Sequence, residues 1–166
     1  QFHHNYYGAY TSQAANMTFT GNQFHDNLRY GLTVRDFSHD LLVDSNLAFS
    51  NASHGFLVSR GCYNLVIRSN KAYNNTDTTT SLAHGFVLDP GSAGSQPSPD
   101  LDNVLESNEA YNNEGYGLRM QAANNNEVRT NNFHDNQVGI TVDQTSTGNT
   151  LDGNTVTKNT TDGIVV

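Results

Sequence analysis

A chain of 166 residues with a formal net charge of −8, no Trp and 35% apolar residues cannot fill the wide core of an ordinary globular domain. Its acidity argues against nucleic acid as a partner, and no apolar run approaches membrane-spanning length. Cys62 is alone, which excludes an internal disulfide and suits a small buried hydrophobe.

A chain this polar can fill the narrow core of a solenoid, in which each coil supplies a few inward side chains. A frame of about two dozen residues recurs from the first coil onward. Asn22, Asn46, Asn70, Asn108, Asn131 and Asn154 mark one position, and a second Asn follows five residues later, at Asn27, Asn51, Asn75, Asn113, Asn136 and Asn159. A glycine column comes next: Gly8, Gly31, Gly55, Gly85, Gly117, Gly139 and Gly163. Behind each glycine the apolar residues alternate, which predicts strands with Leu32 and Val34, Phe56 and Val58, Phe86 and Leu88, Leu118 and Met120, Ile140 and Val142 inward. A second strand is expected at Leu42-Val43, Val66-Ile67 and Val104-Leu105. A third, between the two Asn columns, holds Phe24, Ala48, Ala72, Ala110, Phe133 and Val156.

Three short strands per coil with Asn and Gly at the corners describe an all-β fold, a right-handed parallel β-helix of about seven coils in one domain spanning 1–166. Asn suits left-handed corners and can bond to its own copy in the next coil. The spacing from Asn70 to Asn108 is longer than the rest, which predicts polar loop insertions near 76–83 and 91–101, either tolerated surface insertions or walls of a groove beside the strand at 84–90.

The Gly-led strand also has an outward face. Before each glycine stand Tyr7, Tyr30, His54, His84 and Tyr116. Two residues after it come Tyr10, Thr33, Leu57, Val87 and Arg119, and four after it come Ser12, Arg35, Ser59, Asp89 and Gln121, with Arg60 just beyond Ser59. Tyr, His, Arg and Asp gathered over neighbouring coils suit an acidic sugar chain. Arg pairs with a carboxylate and neutralises it, which acidifies the adjacent carbon, and Tyr and His can then act as acid and base around that carbon.

At residues 30–46, YGLTVRDFSHDLLVDSN resembles the segment of bacterial mannuronan C5-epimerases that begins Tyr-Gly-x-Asp-Pro-His-Asp. HGFLVSRG at 54–61 and HGFVLDPGS at 84–92 resemble the family's next two coils, and the likeness covers residues 22–140. It implies proton transfer by Tyr30, and Asp36 matches the motif's last Asp. Thr33 stands where the family has its catalytic Asp, Val34 where it has Pro, and Arg35 where it has its catalytic His. Either His54 supplies an imidazole while Arg35 binds the carboxylate, or the site has changed its chemistry or lost it. The expected catalytic set is therefore Tyr30, His54 and Arg35, with Arg60, His84, Asp89 and Arg119 binding substrate.

The resemblance implies an extracellular, periplasmic or cell-surface protein acting on an acidic polysaccharide such as alginate. Epimerisation and β-elimination share their first step, and a carbohydrate-binding or self-stacking solenoid is the reading from another class. The chain begins and ends within repeats, so end-to-end association, or membership of a longer solenoid, is expected. His3, His4, His25, His39 and His134 fall at scattered frame positions with no metal-ligand spacing. No cofactor is expected, with calcium at DLDN (100–103) as the weaker alternative.

Overall fold

The structure, a computed structural model, describes residues 1–77, 82–91 and 100–166. Every strand pairs in parallel with its counterpart one coil away, which defines a parallel β-helix with three long sheets and a two-stranded one, Asp100–Leu101 beside Ala123–Asn124. One sheet stacks seven strands: Phe2–His3, Gln23–His25, Leu47–Phe49, Lys71–Tyr73, Glu109–Tyr111, Asn132–His134 and Thr155–Thr157. The Gly-led sheet also has seven: Ala9–Ser12, Leu32–Arg35, Phe56–Ser59, Phe86–Asp89, Tyr116–Met120, Val138–Val142 and Asp162–Val165. Six strands form the third: Thr18–Thr20, Leu42–Asp44, Val66–Arg68, Val104–Glu106, Glu127–Arg129 and Thr150–Asp152. Among the described residues no helix is long and apolar enough to cross a membrane.

Register follows the sequence frame. Leu32, Phe56, Phe86, Leu118 and Ile140 lie over one another, and with Val34, Val58, Leu88, Met120 and Val142 they are buried as expected. Ala48, Ala72 and Ala110 are fully buried, and Phe24 and Phe133, also fully buried, stand in the same column.

The Asn columns are hydrogen-bond ladders. Asn70 Oδ1 accepts both the backbone N–H of Asn46, at 2.9 Å, and its Nδ2, at 3.0 Å, while Asn46 Nδ2 also donates to the Phe19 carbonyl at 2.8 Å. Each buried carboxamide thereby satisfies the groups that burial would otherwise strand. A third, shorter ladder runs Asn103–Asn126–Asn149. The left-handed corner falls one residue earlier than expected. Positive φ belongs to Ser45, Ser69, Ser107 and Thr130, and to Ser50, Asn74, Asn112 and Asp135, each directly before a column Asn. Column asparagines are needed for their side chains, and the short polar residue before each takes the turn.

The glycine column answers a close approach. A Cβ on Gly31 would sit 2.5 Å from the Gly55 carbonyl oxygen, and one on Gly85 2.7 Å from that of Gly117. Of the expected insertions, residues 78–81 and 92–99 lie outside the described residues.

Candidate functional site

Residues preceding the glycines form one continuous file of rings. Tyr7–Tyr30, Tyr30–His54, His54–His84 and His84–Tyr116 stack at centroid distances of 5.6, 5.3, 4.8 and 4.5 Å. The glycine that follows each ring lets adjacent coils close up, which brings the rings into register. Gly115 serves the same file, because a Cβ there would press on the His84 imidazole.

A cavity of about 600 Å³ lies on this file. Tyr30, His54, His84 and Tyr116 line it together with two guanidinium-bearing residues, Arg29 and Arg119. Tyr6, Leu28, Ala52, Ser53, Asp77 and Leu82 complete the wall.

The file fixes the state of its histidines. The backbone N–H of His84 donates to His54 Nδ1 at 3.1 Å, and that of Tyr116 donates to His84 Nδ1 at 3.0 Å. A backbone amide only donates, so each Nδ1 must carry its lone pair, and the single proton of the neutral ring sits on Nε2. Burial lowers the pKa of His54 to about 4 against the pull of Asp89, with Arg119 adding to the fall, and burial with His54 and Arg119 lowers that of His84 to about 2. Both imidazoles are therefore neutral hydrogen-bond donors at neutral pH.

Tyr30 is held protonated too. Burial raises its pKa, and the opposing Arg29 does not cancel that effect. The Arg29 guanidinium lies 4.9 Å from the Tyr30 ring centroid, and its Nη1 donates to the Tyr6 hydroxyl at 3.2 Å. Arg119 Nη2 donates to Gln121 Oε1 at 2.6 Å.

Of the residues expected from sequence, Tyr30, His54, His84 and Arg119 line the cavity, whereas Arg35, Arg60 and Asp89 do not. Those three stand at the far end of the same strands. Arg60 pairs with Asp36 at 3.1 Å, and Asp36 also accepts from Ser12 Oγ at 2.9 Å. Burial would raise the Asp36 pKa, but the bonds from Arg60 and Ser12 outweigh it and hold it low. Asp89 Oδ1 accepts from Ser59 Oγ at 2.6 Å and from the Gly91 amide at 2.8 Å. The buried Nε atoms of Arg35 and Arg60 have no partner among the described residues.

Between the two ends, the expected outward row is closed rather than open. Thr33, Leu57 and Val87 are buried, and Thr33 Oγ1 has no hydrogen-bond partner. Apolar Leu57 lies beside Thr33 in register, so the row is drier than its sequence position suggested. Arg29 and Asp77 are site residues that the sequence frame missed. Arg29 sits two positions before its glycine, where other coils carry Ser53 and Ala83, and Asp77 belongs to the irregular stretch after Asn75.

The chain matches, over residues 1–166, the family described as "Periplasmic copper-binding protein (NosD)". It is 31% identical over 122 residues to a mannuronan C5-epimerase of Pseudomonas syringae pv. tomato, covering 73% of this chain and 20% of that protein. A mannuronan C5-epimerase of Pseudomonas putida is 26% identical over 138 residues, covering 82% and 24%. The chain thus spans about a fifth to a quarter of these curated relatives. Among solved structures, a point variant of the periplasmic alginate epimerase AlgG superposes with a TM-score of 0.81 at 29% identity, over 92% of this chain and 33% of that one. The A-module of the Azotobacter vinelandii mannuronan C-5 epimerase AlgE6 shares the fold, with a TM-score of 0.78 at 24% identity over 88% of this chain and 36% of that one.

Proposed function

The chain belongs to the NosD family and is a mannuronan-epimerase-like parallel β-helix, and from that premise we propose that it binds a linear, alginate-type polyuronate in the cavity over Tyr30, His54, His84 and Tyr116. One observation carries this reading: the ring file offers hydrogen-bond donors, two neutral Nε2–H groups and the Tyr30 phenol, beside two guanidinium groups. A uronan presents the complement, a carboxylate and hydroxyl oxygens on every unit. Titration calorimetry against polymannuronate, polyguluronate and a neutral mannan tests it. Binding of a uronan without the mannan supports the reading, and equal affinity for all three overturns it.

The Tyr30 match and the epimerase relatives favour a second reading, C5 epimerisation of the bound uronate. The C5–H bond breaks, its proton passes to a base, and its electron pair moves into the carboxylate, where Arg29, beside Tyr30, and the imidazole donors balance the new charge. Among the described residues lining the cavity, Asp77 is the carboxylate, and this reading gives it the role of base. The Tyr30 phenol then protonates C5 from the opposite face, and the net reaction is an inversion without oxidation. In a lyase the same electron pair would instead expel the 4-linked sugar. An altered mannuronate-to-guluronate ratio identifies the epimerase and a new ultraviolet absorbance of unsaturated uronate the lyase, while neither, alongside an active control enzyme, leaves binding alone. The matched family is described as periplasmic and so is the AlgG neighbour, which supports a periplasmic or extracellular location for this chain.

Copper, which the family's description names, does not fit these residues. Among the described residues no three of His, Cys, Asp or Glu converge. Each Nδ1 of His54 and His84 is occupied by a backbone amide, and buried Cys62 donates its thiol to the Val34 and Ser59 carbonyls. The reading above therefore uses no metal. At the 100–103 stretch, Asp100 and Asn103 bond to the amides of Cys62 and Leu65, so these oxygens already serve the inter-coil corner.

A further inference from the structure

We propose that Arg29 and Arg119 are two separate carboxylate subsites at opposite ends of the cavity, so that the cavity selects a uronan segment of several units lying along the β-helix axis. The inference rests on the polyuronate reading and assigns the residues that set its length requirement. Among the described residues, Arg60, Arg68 and Arg129 are each neutralised by a carboxylate, at 3.1, 2.9 and 2.6 Å, and Arg35, whose buried Nε has no partner, lies outside the cavity. Arg29 and Arg119, inside the cavity, are not neutralised in this way; their hydrogen-bond partners are neutral, the Tyr6 hydroxyl and the Gln121 carboxamide. In a chain of net charge −8, acids are plentiful, yet the two guanidinium groups of the cavity are left for an outside anion.

Their separation sets the ligand's size. Arg29 adjoins Tyr30, and Arg119 lies on the strand of Tyr116, three coils further on. Three rises of hydrogen-bonded strands amount to about 14 Å. A single uronate is too short to bridge coils that far apart. A chain can, with its inner units over the Nε2–H donors of His54 and His84. Tyr6 and Tyr30 hold Arg29 in place beforehand, which reduces the side-chain entropy lost on binding.

Calorimetric titration with mannuronate monomer, trimer and hexamer tests this, using the wild type, Arg29→Gln, Arg119→Gln and a Lys158→Gln control. The hexamer is expected to bind far more tightly than the monomer, and each arginine variant to weaken the hexamer by about tenfold or more, as loss of a charged hydrogen bond does. The monomer should respond to at most one of the two variants, and Lys158→Gln should change nothing. Thermal unfolding of each variant confirms that its fold is retained. Equal affinity for monomer and hexamer, or a hexamer indifferent to either substitution, overturns the two-subsite inference and leaves polyuronate binding standing. Failure of every uronate to bind overturns both.

Discussion

At the scale of single residues, the two imidazoles make the sharpest statement. His54 and His84 are donors because the next coil's amide occupies each Nδ1. At pH 7, nitrogen-15 spectra of labelled histidine should show two rings protonated on Nε2 alone, and an Nδ1-protonated ring at either position would refute the assignment. Stability should follow from the same burial. In the unfolded chain these rings charge near pH 6.5, whereas in the fold they resist to about 4 and about 2. Protons then favour the unfolded state as pH falls below 6.5, and stability is lost by up to about 1.4 kcal/mol per pH unit for each ring. Urea midpoints at pH 7, 6 and 5 measure it. Asp100 works in the opposite direction. It is fully buried, its Oδ1 accepts the Cys62 amide at 2.8 Å, and its Oδ2 has no partner. Burial raises its pKa well above the carboxylate range, so the fold keeps a proton that the unfolded chain releases, and stability falls as pH rises above about 4. Asp100→Asn needs no proton, and should raise the melting temperature at pH 7 while changing it little at pH 4. Tyr30, His54 and His84 were legible in the sequence as one file because a period of coils puts them there. Their protonation was not, since it depends on an amide some thirty residues away in sequence.

At the scale of the element, the Asn ladder carries the coil corners. Removing one carboxamide strands the groups that bonded to it. In Asn70→Ala, the backbone N–H and Nδ2 of Asn46 lose their acceptor, and the Val43 carbonyl loses a donor at 2.8 Å. Each unmet buried group costs about 1–3 kcal/mol, so the variant should lose at least about 3 kcal/mol in chemical unfolding. A loss below about 1 kcal/mol would show that water enters the corner and replaces the ladder. The Asn and Gly columns could be read directly from spacing, because each position repeats in nearly every coil. The third ladder was harder to see, since the earlier coil carries Leu65 at that position and leaves only Asn103, Asn126 and Asn149. The row at Thr33, Leu57 and Val87 lies on the outward side of its strands and is buried all the same, because alternation along a strand reports which face a residue is on and not what covers that face.

At the scale of the whole molecule, a net charge of −8 has to be reconciled with an anionic ligand. The basic residues are concentrated before residue 72, and twelve acids against three bases follow it. An approaching polyanion is therefore repelled by the molecule as a whole and attracted only when it is near Arg29 and Arg119. Salt separates these two effects by range. The screening length is about 30 Å at 0.01 M and about 8 Å at 0.15 M, so moderate salt removes the distant repulsion while leaving the contacts inside the cavity largely intact. At about 1 M, with a length near 3 Å, the contacts weaken as well. Affinity for polymannuronate should accordingly rise between 0.01 and 0.15 M and fall by 1 M, a course that calorimetry at the three ionic strengths can follow. A fall across the whole range would mean that the acids of the later coils lie too far from the cavity to act on the ligand. Binding would then be governed by the two local arginines alone.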